Sequence, residues 1–151
     1  MTQTQPQVDP FSLDGYEQLM AMMDGRLPPP PLAETLGLVN FGGERGEISV
    51  ELVPELRHYN PLGSVHGGVL STMLDTAAGC SVHSTLAVGE AYTTLDLTVK
   101  FLRPATVESG LLRADGRVIQ RGRRTALAEA QVFDASGRLV AWATSSCMIF
   151  S

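Results

Sequence analysis

At 151 residues, 44% of them hydrophobic and 18% charged, the chain suits one folded domain and is too apolar for intrinsic disorder. Sixteen acids against eleven Lys and Arg leave a net charge of −5, which argues against general nucleic-acid binding. With no run of about 18 apolar residues and no basic-then-apolar leader, the chain is expected to be cytoplasmic and to touch no membrane.

The charge is unevenly placed. Residues 1–95 hold three Arg against eleven acids, whereas 96–151 hold eight Lys or Arg against five. The basic bias from Lys100 to Arg124 leaves room for a small phosphorylated ligand. Cys80 and Cys147 lie in apolar segments without metal-ligand spacing and read as reduced core residues of an intracellular protein, so no metal is expected.

Residues 1–31 read as an N-terminal extension, with 1–15 polar and frayed. Tyr16 to Met23 predicts a short helix capped by Asp14, and Pro28 to Pro31 a stiff connector. Leu32 to Leu36 offers one further turn of helix, opening the main domain, 32–151. Leu36–Phe41 and Glu47–Val53 predict two strands around the turn Gly42 to Gly46. In the second, Ile48, Val50 and Leu52 alternate with Glu47, Ser49 and Glu51.

A helix from about Gly67 to Thr85 follows, apolar nearly all round and rich in small residues, hence buried. Thr94–Phe101 then alternates with a period of two, which sets Thr94 on the face opposite Leu95 and Leu97 and leaves its direction open. Leu111–Gln120, Thr125–Phe133 and Leu139–Phe150 complete the strands, with a basic turn at Arg121–Arg124 and a hairpin turn at Asp134–Gly137. Trp142 is assigned to the core, and His58 and His83 are read as ordinary loop and helix residues. The expected class is α+β: a central helix wrapped by an antiparallel sheet of five to six strands.

Within this pattern one side chain is out of place. Asp75 is the only Asp, Glu, Lys or Arg between Arg57 and Glu90, on a helix that otherwise buries apolar surface. An acid there needs a partner or a function.

The run Asn60-Pro61-x-Gly63-x-x-His66-Gly67-Gly68, then Asp75, with Arg123-Arg124-Thr125-Ala126 downstream, resembles the hotdog-fold acyl-CoA thioesterases of the phenylacetate-degradation (PaaI-like) type. The likeness extends from about Leu32 to Phe150. It implies hydrolysis of an acyl-CoA thioester without a further cofactor, coenzyme A being part of the substrate. It also implies homodimers with sites at the subunit interface, commonly paired into tetramers.

The residues support that chemistry in their own right. Gly67 starts a helix, where a free N–H and the helix dipole favour developing negative charge. Asp75, poorly solvated, suits a base or a nucleophile. Eight residues on one helix separate the two by about 12 Å, too far to share one carbonyl group. If both act on one substrate they come from different chains, so an obligate dimer is expected.

By resemblance, Asn60 orients the attacking water or the thioester, His66 shapes the loop presenting Gly67, and Thr94 assists Asp75. The resemblance also places Gly68, Arg123, Arg124, Thr125 and, less strongly, Arg103 against substrate or its phosphates. Direct attack by Asp75, forming an anhydride, and activation of water by it both stay open. Simpler readings stay open too: a structural acid at 75, a tight turn at Gly67-Gly68, a solvated hairpin tip at the arginines. A non-catalytic acyl-CoA-binding protein on the same scaffold is the alternative function. A hydratase is a third, disfavoured because the next His after Asp75 is His83, on the helix itself.

Overall fold

A computed structural model describes residues 7–151. Of the segment expected to be frayed, residues 1–6 lie outside the described residues. The remainder is not frayed. Asp9 caps a single 3-10 turn over Pro10–Ser12, and Gly15 donates its N–H to the Leu86 carbonyl. Helix α1 (Gly15–Met23) opens with a reciprocal cap in which Asp14 and Glu17 each bind the other's backbone N–H. Helix α2 (Pro31–Leu36) starts on a proline and stops at Gly37, whose φ of 80° is the left-handed turn that glycine accepts.

Six strands follow, β1 (Leu38–Glu44), β2 (Glu47–Leu52), β3 (Ala91–Phe101), β4 (Leu112–Arg121), β5 (Thr125–Phe133) and β6 (Leu139–Phe150). They form one antiparallel sheet in the order β1-β2-β4-β5-β6-β3. Helix α3 (Gly67–His83) falls between β2 and β3 in sequence and lies across the inner face of the sheet. This is the hotdog arrangement, a long helix held in a curved sheet.

Small residues make that approach possible. Ala114, Ala128, Ala130, Ala141 and Ala143 pave the inner face, and Ala77 and Ala78 meet them from the helix, all fully buried. At Gly116 a Cβ would stand 2.2 Å from the Ala77 carbonyl oxygen, so the strand touches helix backbone directly. Two serines tie the far end of α3 to β2 and the turn before it. Ser81 Oγ donates to the Ala77 carbonyl at 2.7 Å and accepts the Ile48 N–H at 3.0 Å, while Ser84 Oγ accepts the Gly46 N–H at 2.7 Å.

Three sequence readings need correction. Trp142 is not core: it lies half-buried, and its indole N–H points to the Glu129 carboxylate at 3.4 Å. Burial of a neighbouring alanine row already fills the inner face, so the large ring stays outside. His58 is buried and holds its surroundings together: Nδ1 accepts the Glu55 N–H at 2.9 Å and Nε2 donates to the Leu36 carbonyl at 2.7 Å. The period of two in β3 is also interrupted. Thr94 pairs with Cys147 and Asp96 with Ser146, which leaves Leu95 as an extra, unpaired residue.

Candidate active site

Helix α3 offers two chemically distinct places. At its start, His66 is the N-cap, and its ring Nδ1 accepts the Gly68 N–H at 2.7 Å. The first-turn amides of Val69 and Leu70 return to the His66 carbonyl. The Gly67 N–H has no acceptor among the described residues, and it points along the helix dipole's positive end. Gly68, expected among the substrate-binding residues, has its N–H committed to His66.

The loop before this turn is pinned from three sides. Val65 donates its N–H to the Ala105 carbonyl at 2.7 Å, and His66 donates its own to the His58 carbonyl at 2.8 Å. Asn60 organises the bend itself: Oδ1 accepts the N–H groups of Leu62 (2.9 Å) and Ser64 (3.2 Å), and Nδ2 donates to Ser64 Oγ at 3.0 Å. One amide hydrogen of Asn60 remains for a water or a substrate. The Phe101 ring closes the other side, since a Cβ on Gly67 would stand 3.0 Å from its edge. A side chain at 67 would therefore crowd the one amide left open.

Two turns along α3 the half-buried Asp75 carboxylate receives the Thr94 hydroxyl, Oγ1 to Oδ1, at 3.0 Å. The bulge at Leu95 resolves the ambiguity of direction. With one extra residue in the strand, Tyr92 and Thr94 face inward together with Leu97 and Val99, and Leu95 turns out to 58% exposure. Asp96 stabilises the irregularity by accepting the Ser146 N–H at 3.0 Å. The Tyr92 hydroxyl reaches to where a Cβ on Gly79, one turn beyond Asp75, would stand only 2.8 Å away. Burial raises the Tyr92 phenol above its ordinary range, with lesser contributions from Cys80, Cys147 and Asp75.

The two places are not brought together within one chain. Gly67 and Asp75 occupy positions one and nine of α3, about 12 Å apart along the axis. Their partners on β3, Phe101 and Thr94, are likewise seven residues apart along that strand.

The basic residues divide in the same way. Thr125 and Thr93 both pair with Met148, from opposite sides. The turn carrying Arg123 and Arg124 therefore stands about 10 Å, two strand spacings, from β3, whose Thr94 binds Asp75. Both side chains are exposed, and neither enters an ion pair with a described residue. Arg121 differs: it turns back to Glu90 and the Gly122 carbonyl. Arg103 is exposed two residues beyond Phe101, at the Gly67 end. Residue type alone could not have exposed the parts played by His58, Phe101 and Tyr92, because each acts through a contact between distant segments.

Residues 62–141 match the family model described as the thioesterase superfamily. Among curated relatives, the chain is 27% identical over 109 residues to the 1,4-dihydroxy-2-naphthoyl-CoA hydrolase of Listeria monocytogenes, covering 72% of this chain and 87% of that protein. It is 27% identical over 103 residues to the proofreading thioesterase EntH of Klebsiella pneumoniae, covering 68% and 74%. A Halobacterium salinarum protein named as an esterase is 43% identical over 72 residues, and that match spans just under half of each chain, 46% and 46%. Among solved structures, a phenylacetic acid degradation-related protein of Ralstonia eutropha superposes with a TM-score of 0.78 at 37% identity, over 86% of this chain and 98% of that one. The PaaI protein of Escherichia coli shares the fold, with a TM-score of 0.78 at 23% identity over 91% and 94%. The chain belongs to the thioesterase superfamily, whose shared reaction is thioester hydrolysis.

Proposed function

We propose that the protein is an acyl-CoA thioesterase that works as a homodimer, paired into a dimer of dimers, and that each site joins the Asp75 of one chain to the Gly67 of a second copy. The substrate class is an aryl- or short- to medium-chain acyl-CoA. The hydrogen bond from Thr94 to Asp75 carries this reading. It fixes a carboxylate oxygen on a helix that carries no other Asp, Glu, Lys or Arg, and leaves the other oxygen free to take a proton or to attack.

In the general-base route Asp75 removes a proton from water as the water oxygen adds to the thioester carbon. The resulting oxyanion accepts the Gly67 N–H of the second copy, an interaction worth about 2.7–4 kcal/mol at comparable sites. Collapse breaks the C–S bond, and the proton held by Asp75 passes to the departing CoA thiolate. In the nucleophilic route Asp75 attacks directly and the C–S bond breaks, so that the CoA thiolate leaves and takes a proton from solvent. Water then opens the acyl anhydride to release the acid and restore the Asp75 carboxylate. Arg123 and Arg124 from one chain and Arg103 from the other are suited to bind the CoA phosphates as charge-assisted forks.

The edge of the sheet favours this assembly. Strand β3 ends the sheet, and its outer edge pairs with no other strand among the described residues, an edge that a second β3 would cover. Antiparallel pairing there sets two α3 helices antiparallel and joins unlike ends. The unpaired cysteines, Cys80 and Cys147, suit a reducing cytoplasm.

The test is thiol release from aromatic, short and medium acyl-CoAs, with Asp75→Asn as control. Hydrolysis by the native chain and a loss of about 10²–10⁴-fold in kcat for Asp75→Asn are expected. Tight acyl-CoA binding without turnover would instead favour a non-catalytic binding protein. A monomer at active concentrations in light scattering would remove the shared site.

A further inference from the structure

A cleft of about 800 Å³ opens between α1, the proline connector, α2 and β1, away from every residue assigned above. Its walls are apolar: Leu19, Met20, Met22, Met23 and Phe41 line it, with Ile48 and Cys80 beneath. Glu34 is its single charged lining residue. A volume of this size falls within the range that small-molecule sites occupy. All of the lining except Cys80 precedes the family-matched span 62–141.

Cys80 is what connects this cleft to the chemistry. It lies five residues beyond Asp75 on α3, about 7.5 Å along the axis and some 140° around it. Between them α3 carries Thr76 and the buried Gly79, and the Tyr92 ring of β3 lies over Gly79, so an acyl chain passing round the helix runs alongside that ring. The negative charge of Asp75 is felt at Cys80. Burial first, and then Asp75, push that thiol up to about 12.

We propose that this cleft receives the distal end of an unsubstituted aliphatic or arylalkyl acyl group, whose carbonyl sits at Asp75. The N-terminal segment 19–42 then sets acyl-chain selectivity. The proposal rests on the thioesterase reading and adds the site that measures the acyl group. Three methionines in the wall suit a ligand of variable shape, because the thioether chain is flexible and polarizable. An acyl group ending in a charge would meet apolar wall and Glu34, and is excluded.

The ties of the segment support a fixed wall. Gln18 donates to the Pro10 carbonyl at 2.8 Å, and its Oε1 pairs with His83 Nε2 at 2.7 Å, which moors α1 to α3. Tyr16 donates to the Gly43 carbonyl at 3.1 Å, which moors it to the sheet.

Two substitutions fill the cleft from opposite sides, Cys80→Phe from its floor and Met20→Trp from its roof. Straight-chain acyl-CoAs from acetyl to decanoyl, and phenylacetyl-CoA, give the length profile of kcat/KM. Free decanoate titrated calorimetrically into the native protein and both variants reads the cleft without catalysis. Expected are efficiency that rises with length in the native protein, a loss of about tenfold or more for decanoyl-CoA in both variants, and unchanged butyryl-CoA hydrolysis. Decanoate is expected to bind the native protein and neither variant. If decanoate binds in this pattern while no acyl-CoA is hydrolysed, the cleft stands and the thioesterase reading falls. Acyl-CoA hydrolysis with the same length profile in all three proteins, or equal decanoate behaviour in all three, overturns the cleft proposal. Circular dichroism confirms that at least one variant is folded, and either variant alone decides the outcome.

Discussion

The ring of His66 accepts the Gly68 N–H at 2.7 Å and thereby decides which amide of the turn is left for a substrate. Without that bond both amides would compete for the same oxygen, and the first turn of α3 would lose its cap. His66→Ala is expected to cost about 1 kcal/mol of stability and to lower kcat. His66→Asn, which can still cap, should recover the stability and most of the rate. Equal rates for His66→Ala and the native protein would show that the cap does not govern catalysis.

Thr94 holds one oxygen of Asp75, so its removal should loosen the carboxylate without eliminating it. Thr94→Val is expected to reduce kcat by about tenfold with little change in KM, the loss of one hydrogen bond to a charged group being worth about 1.5–3 kcal/mol at most. Thr94→Ser should restore the rate. A rise in KM alone would assign Thr94 to substrate binding.

The basic turn is expected to act on the nucleotide and not on the thioester. Arg123→Ala with Arg124→Ala should raise KM for acyl-CoA and flatten its dependence on salt. The same double variant should hydrolyse acyl-pantetheine, which lacks the nucleotide, at the native rate. A matched loss on both substrates would move these arginines away from phosphate recognition.

Burial lowers the pKa of His83 below its ordinary 6.5. The folded protein therefore keeps His83 neutral where the unfolded chain already takes up a proton. This contribution to stability is complete above pH 6.5 and declines as pH falls from there towards the depressed folded value. His83→Gln should show a smaller drop in melting temperature between pH 7.5 and pH 5.5 than the native protein. An identical drop would mean that other groups account for the acid sensitivity.

Close contact between Gly116 and Ala77 makes a further prediction about packing. Gly116→Ala places a methyl group against helix backbone, which cannot rotate away, and should cost about 1–3 kcal/mol in urea unfolding. Gly89→Ala, where no atom lies within 4 Å, separates crowding from the backbone strain of a positive φ.

Patterns local in sequence were legible before any coordinates. The apolar run of α3, the alternation in β2 and the turn at Asp134–Gly137 each carry their signal within a few neighbours, whereas the turn expected over Gly42–Gly46 shrinks to Arg45-Gly46 because Gly42–Glu44 pair with Glu47–Ser49. The separation of Gly67 from Asp75 was legible for the same reason, since helical rise depends on count alone. What stayed hidden depends on partners far along the chain. The weight of His58 comes from Leu36, that of Gly116 from Ala77, and that of Tyr92 from Gly79. Trp142 was misread because size suggested burial, while a row of alanines had already claimed the inner face. The cleft escaped notice because a proline-rich connector gives no sign of what it covers.

Removing one residue from a strand ordinarily inverts every side chain on one side of the cut. At Leu95 the reverse holds. Because Leu95 is the supernumerary residue of its bulge, deleting it would give a regular strand in which Tyr92, Thr94, Leu97 and Val99 all still look inward. The strand thus tolerates a frameshift in its own geometry. A relative lacking the bulge would carry its hydroxyl two positions before the next inward residue, not three.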